Sequence, residues 1–229
     1  MRSQLKPADH TRLIEEALSG FYEKQPTNTT VLYVLAYTYL MDGSESALSE
    51  AEKLLQAAIE KRPQFADAYV ALGKCYAAQG QTEAAIEVYQ KSVQLNPNLG
   101  EVHLELGNYY RDQKNYQGAI EHYTQRLAQR PKDAVTHFNL GLMYRKVGNL
   151  EGAREAFSQA IKYDKNDADA YYQLGQIYAL QRKPDDALKE YRKLSEAKSR
   201  ARPILSDKAG GQEFNPSDSK ARYQLAHIF

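Results

Sequence analysis

Residues 66–99 read ADAYVALGKCYAAQGQTEAAIEVYQKSVQLNPNL, and this stretch decides the fold because its pattern recurs along most of the chain. A Leu-Gly pair appears four times at intervals of 34 residues, and a tyrosine follows each glycine three residues later. The recurring glycines are Gly73, Gly107, Gly141 and Gly175. A fixed period of this length is typical of stacked helical units, so the sequence predicts an all-α solenoid.

Each unit is predicted to contain two helices joined by a turn. Apolar and small residues recur every three or four positions over residues 69–76, which is one face of a helix. Gly80 interrupts that pattern, and a second helical pattern runs over residues 85–92. Asn96 ends the second helix, because the residue before a proline is disfavoured in helical geometry. Gly73 permits close approach of the two helices.

These residues resemble the tetratricopeptide repeat, whose pattern is a leading aromatic, Leu-Gly, tyrosine, a small residue, a second aromatic and a closing proline. The resemblance implies a right-handed superhelical solenoid of helix-turn-helix repeats. Five predicted units follow one another, at residues 29–65, 66–99, 100–133, 134–167 and 168–201. The first unit carries three extra residues, which we place in its inter-helix turn near residues 42–46.

Partial units are predicted at both ends of the chain. Residues 1–28 are predicted to form an N-terminal capping helix, since solenoids cover their terminal repeats with atypical elements. Residues 202–218 are predicted to be a linker, and residues 219–229 to be the first helix of an incomplete sixth unit. The sequence YQLAHIF at 223–229 echoes YQLGQIY at 172–178. We expect this tail to dock in line on the last repeat, with the groove or a second molecule as alternatives.

Composition excludes several classes of function. Lys and Arg total 30 against 29 Asp and Glu, so no net field favours nucleic acid. The longest apolar stretch is too short to span a bilayer, so no membrane insertion is expected. Cys75 is the single cysteine, which rules out an intrachain disulfide. We expect a cytoplasmic protein, or a soluble domain of a larger or exported one.

No catalytic motif is found, so the sequence predicts no enzyme activity, no cofactor and no metal. His103 and His137 occupy equivalent positions in adjacent units, which raises metal ligation as one interpretation. Core packing is favoured over it, because both residues stand at the leading aromatic position. Cys75, beside a core tyrosine, is interpreted as a packed thiol rather than a nucleophile.

The resemblance implies that the first helices line a concave groove, with the second, fifth, sixth, ninth and twelfth positions of each unit facing it. The fifth positions form an apolar stripe of Tyr33, Val70, Leu104, Phe138 and Tyr172. The ninth positions are Tyr37, Lys74, Asn108, Leu142 and Gln176, and the sixth include Asn139 and Gln173. Arg111, Arg145 and Lys146 form a small basic cluster. The stripe has two open interpretations: a partner site, or aromatic residues required for packing.

Members of the family that bind chaperone tails hold a C-terminal carboxylate with lysine, arginine and asparagine side chains. The closest register here gives Leu104, Asn108, Asn139, Asp169 and Gln173, in which all three cations are missing. An anionic chain end would therefore meet Asp169 without a compensating charge. The sequence argues against binding of such tails.

The sequence thus predicts a noncatalytic scaffold whose groove binds a peptide or helix of a protein partner. The partner is expected to be amphipathic with an acidic flank. One alternative is a regulatory or targeting subunit of an enzyme or secretion assembly. Another is a self-assembling structural protein, forming a homo-oligomer through its terminal repeats.

Overall fold

The computed structural model describes residue 20 and residues 28–201, with backbone alone for residues 198–201. The described residues contain ten helices from residue 29 onward and no strand. In chain order they are α1 (Thr29–Asp42), α2 (Glu45–Lys61), α3 (Ala66–Ala78), α4 (Thr82–Leu95), α5 (Gly100–Asp112), α6 (Tyr116–Gln129), α7 (Ala134–Lys146), α8 (Leu150–Tyr163), α9 (Ala168–Leu180) and α10 (Pro184–Ala201). The predicted all-α, helix-turn-helix architecture is confirmed.

The chain divides into two compact units, one ending at Leu106 and one beginning at Gly107. In the first unit, each of the helices α1 to α4 packs against the next along the chain. Leu35, Leu55 and Leu72 belong to the buried core of this unit. In the second unit, α6 to α10 pack in the same sequential order. Phe157 and Ile177 are fully buried there.

In the second to fifth repeats, a glycine of the first helix lies directly against an aromatic ring of the second helix. A Cβ atom on Gly141 would lie 2.7 Å from Phe157 Cε1, and one on Gly107 would lie 2.6 Å from Tyr123 Cε1. Real Cβ atoms essentially never come closer than about 3.0 Å to another heavy atom. The ring therefore occupies the space that a side chain on the glycine would need.

In the first repeat, a different pair of residues occupies these two positions. Ala36 and Leu55 stand at the positions of the glycine and the ring, and both are fully buried. A methyl group is tolerated where the facing side chain is a leucine rather than an aromatic ring. The pair keeps the total volume similar, which is the kind of exchange that cores tolerate best.

We predict that Gly141→Ala lowers the free energy of unfolding by about 1–3 kcal/mol, because the new methyl group overlaps Phe157. Adding Phe157→Leu should restore part of the loss, since it copies the pair in the first repeat. Urea unfolding of the two single variants and the double variant measures the coupling. Strictly additive losses would contradict the contact.

The turn between the two helices of a repeat requires one residue with positive φ. Gly80 and Gly148 have φ of 76° and 79°, whereas Lys114 and Arg182 adopt 59° and 58° at the equivalent positions. The N–H after each of these residues donates to the carbonyl five residues earlier, as Asn115 does to Tyr110 at 2.8 Å. This is the Schellman ending of a helix, which favours glycine at the left-handed position.

Lys114 and Arg182 therefore hold a backbone geometry that is costly for residues with a Cβ atom. We predict that Lys114→Gly raises the free energy of unfolding by about 0.5–1 kcal/mol, after the extra entropy of glycine in the unfolded chain is subtracted. Lys114→Ala is the control, because it removes the charged side chain and keeps the Cβ atom. Equal stability of these two variants would show that the turn carries no strain.

The three extra residues of the first repeat were predicted to lie in its inter-helix turn. This prediction was wrong, because the turn is no longer than in the other repeats. Only Gly43 and Ser44 separate α1 from α2. The additional length lies in α2, which has 17 residues where α4 has 14. Ser44 accepts a hydrogen bond from the Ala47 N–H at 3.3 Å and thereby caps a helix that starts one turn early. Burial of Leu48 in that added turn stabilises it.

The predicted terminal elements fall almost wholly outside the described residues. This applies to the capping helix at 1–28, of which only residues 20 and 28 are described, and to the segments 202–218 and 219–229. Asn28 caps α1, because its side-chain oxygen accepts from the Thr30 N–H at 3.0 Å.

Candidate functional site

The candidate site is built on the first helices of the repeats, α1, α3, α5, α7 and α9. In each of them, positions 2, 5, 6, 9, 12 and 13 of the repeat lie on one side, since they recur at helical spacing. We call this side the first-helix face. It includes all the residues predicted from the sequence to bind a partner, and it is described separately for the two units.

The predicted apolar stripe at the fifth positions is half-buried, so it is less exposed than expected. The Phe138 ring centroid lies 5.6 Å from that of Phe157, and the Tyr172 centroid lies 6.1 Å from that of Tyr191. Tyr33 similarly packs on Phe65 at 5.2 Å. These side chains support the second helix or the end of their own repeat. Packing therefore explains much of the stripe.

The most exposed apolar side chains lie elsewhere on the same face. Six large apolar side chains are exposed among the described residues, and five of them stand on the first-helix face. They are Val34, Tyr37 and Met41 on α1, Val135 on α7 and Leu180 on α9. The sixth, Val147, lies in an inter-helix turn. Met41, Val135 and Leu180 are each about two-thirds exposed, at 68%, 65% and 64%.

Sequence reasoning missed four of these five residues. Met41 and Leu180 stand at the thirteenth position of their repeats, which the prediction did not assign to the face. Val34 and Val135 stand at the sixth and second positions, but they were not selected as binding residues. A helical projection of each first helix would have found all four. In α1, Val34, Tyr37 and Met41 follow one another at spacings of three and four residues.

In the second unit, Asn108 forms a polar junction with two neighbours. The Tyr123 hydroxyl donates to Asn108 Oδ1 at 2.9 Å, and Arg111 Nη1 donates to the same oxygen at 3.2 Å. Arg111 also pairs with Asp112, its Nε lying 2.9 Å from Oδ1. The charge of Arg111 is therefore compensated within α5.

Arg145 has a different environment, because its partner is a neutral amide. Its Nη1 donates to Gln176 Oε1 at 2.9 Å, which links α7 to α9. Gln176 Nε2 in turn donates to the Tyr172 hydroxyl at 3.0 Å. No carboxylate among the described residues pairs with Arg145, so its charge remains uncompensated.

Two polar atoms near this chain of hydrogen bonds are buried without a partner. They are the Tyr191 hydroxyl and Gln173 Oε1. The Tyr191 side chain is only 5% exposed, and burial, followed by the neighbouring Tyr172, raises its pKa to about 12. An unpaired buried hydroxyl is rare in proteins and requires a physical explanation.

The other predicted residues of the first-helix face differ in exposure. Lys74 and Lys146 are exposed, and Val70, Leu104, Asn139 and Leu142 are half-buried. Asp67, Glu101 and Asp169 are exposed acidic residues on the same face. The face therefore combines exposed apolar groups with charges of both signs.

The two histidines are held by backbone carbonyl groups. His103 Nε2 lies 3.0 Å from the carbonyl oxygen of Pro97, and His137 Nε2 lies 2.9 Å from that of Pro131. Because a carbonyl oxygen only accepts, each Nε2 carries the proton and donates it. In the described part of the chain, no three His, Cys, Asp or Glu side chains are grouped to hold a metal ion.

Cys75 is a buried thiol, and burial raises its pKa to about 11. Its Sγ donates to the carbonyl of Leu48 at 3.2 Å, which ties α3 to α2. A thiol with so high a pKa is a poor nucleophile at neutral pH. None of the described helices is both long and apolar enough to cross a bilayer.

Two family models match the sequence. One, the tetratricopeptide repeat, matches residues 144–206, and the other, the cilia and flagella-associated protein 70 C-terminal domain, matches residues 65–172. The chain belongs to the tetratricopeptide repeat family. No curated protein matches the sequence.

Several solved structures share this tetratricopeptide repeat fold. The crystal structure of MamA is 25% identical with a TM-score of 0.60, over 68% of this chain and 91% of that one. YrrB, described as a TPR protein with an unusual peptide-binding site, is 20% identical with a TM-score of 0.70, over 82% and 95%. The C-terminal part of a TPR repeat-containing protein from Cytophaga hutchinsonii is 20% identical with a TM-score of 0.66, over 83% and 75%.

Tyr123 and Tyr191 occupy equivalent positions, and their hydroxyls give a matched pair of substitutions. We predict that Tyr123→Phe lowers the free energy of unfolding by about 1 kcal/mol, because it removes a formed hydrogen bond. Tyr191→Phe should raise it by about 1 kcal/mol, because it removes an unpaired buried hydroxyl. Denaturant unfolding measures both, and losses of equal size in the two variants would contradict the assignment.

Proposed function

We propose that this tetratricopeptide repeat protein is a noncatalytic scaffold whose first-helix faces bind a peptide or helix of a protein partner. The observation that carries the proposal is the concentration of exposed apolar side chains on these faces. Contiguous exposed apolar residues on a protein surface mark interaction sites. YrrB, whose fold is similar, is itself described as having a peptide-binding site.

The exposed residues favour an amphipathic ligand. Val34, Tyr37 and Met41 form a row along α1 that suits the apolar side of a helix or an extended segment. In the second unit, Val135 and Leu180 supply exposed apolar groups, and Arg145 and Lys146 supply positive charge on the same face. A partner segment with apolar residues and an acidic flank complements these groups.

The experiment uses peptides selected on the protein from a random display library, and it measures their affinity for variants. Met41→Glu tests the face of the first unit and Leu180→Glu that of the second. Each should weaken the selected peptides on the order of tenfold, since a desolvated apolar contact is replaced by a charge. Folding should be unaffected, because substitutions at such exposed positions change stability by only about 0.5 kcal/mol.

Val147→Glu is the matched control, because it adds the same charge at an exposed valine outside the first-helix face. It should bind the selected peptides as the unmodified protein does. If Met41→Glu and Leu180→Glu bind as tightly as Val147→Glu, the first-helix faces are not the binding surface.

A further inference from the structure

Helix α1 is apolar on its exposed side as well as on its buried side. The buried side belongs to the core of the first unit. The exposed side carries Val34, Tyr37 and Met41, which we call the α1 row. No charged residue precedes Asp42 in this helix. Because a helix that is apolar all round is normally buried on every side, the α1 row is expected to be covered by a partner.

The spacing of the α1 row favours a helix as that partner. Its residues follow one another at steps of three and four positions, so the row advances by about 5 Å per step. Two helices that lie nearly along one another interdigitate rows with this spacing. In an extended segment, successive side chains on one face lie about 6.6 Å apart, which does not match the row.

Helix α3 lies beside α1 and runs in the same direction. Phe65, just before α3, packs on Tyr33 near the start of α1. Cys75, near the end of α3, donates to the carbonyl of Leu48 in the first turn of α2, which follows the end of α1. The starts of α1 and α3 are therefore adjacent, and so are their ends.

Two charged side chains of α3 flank the α1 row. Asp67 and Lys74 are exposed, and neither forms an ion pair with another described residue. Burial, followed by the negative charge of Asp67, raises the pKa of Tyr33, which places Asp67 near the start of α1. Lys74 follows seven residues later, about 10 Å further along α3. Negative charge thus lies toward the start of the row and positive charge toward its end.

We propose that the α1 row binds an amphipathic α-helix that runs antiparallel to α1, with an acidic residue opposite Lys74 and a basic residue opposite Asp67. This proposal rests on the proposed function, because it assigns a conformation, a direction and a charge order to the ligand of the first unit. The acidic residue of the partner precedes its basic residue by about seven positions, which matches the spacing on α3.

The helix dipole selects the antiparallel direction. In an antiparallel partner, the acidic residue lies nearer the N-terminus of its helix and the basic residue nearer the C-terminus, and the dipole favours both placements. A parallel partner needs the opposite order, which the dipole disfavours. The antiparallel direction also brings the partially positive N-terminus of the partner toward the end of α1, where Asp42 is exposed.

Two isomeric synthetic helices test the direction. Each is an alanine-based peptide of about 18 residues, long enough to form a helix in isolation, with leucines at steps of three and four positions. One carries Glu seven positions before Lys, and the other has these two residues exchanged. The Glu-first peptide should bind the full chain on the order of fivefold more tightly at low salt, and the difference should shrink as salt is added.

The matched control exchanges the two charges on the protein. Asp67→Lys combined with Lys74→Asp keeps the net charge and should reverse the preference, so that the Lys-first peptide binds more tightly. Each peptide is measured on both proteins, so a difference in helicity between the free peptides does not affect the comparison. A preference of the same sign and size in the exchanged protein would show that the direction and the charge assignment are wrong.

A proline at the centre of the Glu-first peptide tests the conformation, because proline breaks a helix but not an extended segment. It should lower the affinity more than tenfold, and circular dichroism should show that the unmodified peptide gains helix on binding. Met41→Glu should weaken both isomers, whereas Leu180→Glu, in the second unit, should weaken neither. Full affinity of the proline peptide, or binding that is insensitive to Met41→Glu, would overturn the proposal.

The failure of this proposal differs from the failure of the proposed function. If peptides selected by display lose affinity in Met41→Glu but neither helical isomer binds, the proposed function stands and the helical ligand is wrong. If sedimentation shows a dimer of the chain that Met41→Glu dissociates, a second copy covers the α1 row, and the partner helix is excluded.

Discussion

The contact between a glycine of the first helix and an aromatic ring of the second fixes the geometry of the hairpin in the second to fifth repeats. At Gly141, the position of a missing Cβ atom is filled by the Phe157 ring, which is fully buried. The ring can enter only because the glycine offers no side chain, and the two helices approach until they share this space. Neighbouring positions on the first helix then have a defined direction, either toward the core or onto the first-helix face.

The same contact connects packing with recognition. A tyrosine that fills the glycine notch extends its hydroxyl to the side chains of the first-helix face, as Tyr123 does to Asn108. Phe157 fills the notch without bringing a polar group. Tyr191 brings a hydroxyl that is buried without a hydrogen-bond partner. One core position therefore determines whether a repeat adds a hydroxyl group to the face, and the neighbouring side chains determine whether that hydroxyl is hydrogen-bonded.

Much of this structure could be predicted from sequence, because a period of 34 residues reports the recurring glycines and rings directly. The helix pairs and the packed thiol of Cys75 followed from it. The strained turns at Lys114 and Arg182 were missed, because neither residue type indicates a positive φ by itself. The glycines 34 residues away, Gly80 and Gly148, were the signal that could have revealed them. Arg126 was also missed: it is buried at a position where the other repeats have alanine, serine or leucine, and it pairs with Asp133 at 3.0 Å.

The candidate site was predicted less well than the fold. For the fifth positions, partner binding and packing were both left open, and a first-helix residue beside the glycine notch does pack against the ring, as Phe138 does. At the thirteenth positions only Lys146 was selected, although the exposed residues Met41 and Leu180 stand there as well. The hydrogen bonds between polar side chains depend on their rotamers. A repeat pattern in the sequence does not indicate rotamers, so these hydrogen bonds could not be predicted.

The most direct test of the central contact is the proton NMR spectrum of the glycine Hα atoms. Aromatic rings shift the resonances of protons that lie against them, so the Hα resonances of Gly73, Gly107, Gly141 and Gly175 should be displaced from those of Gly80 and Gly148, where an added Cβ atom would meet nothing within 4 Å. Phe157→Leu should return the Gly141 resonance alone toward those of Gly80 and Gly148. Ordinary shifts at all four glycines, or a Gly141 resonance unaffected by Phe157→Leu, would contradict the account.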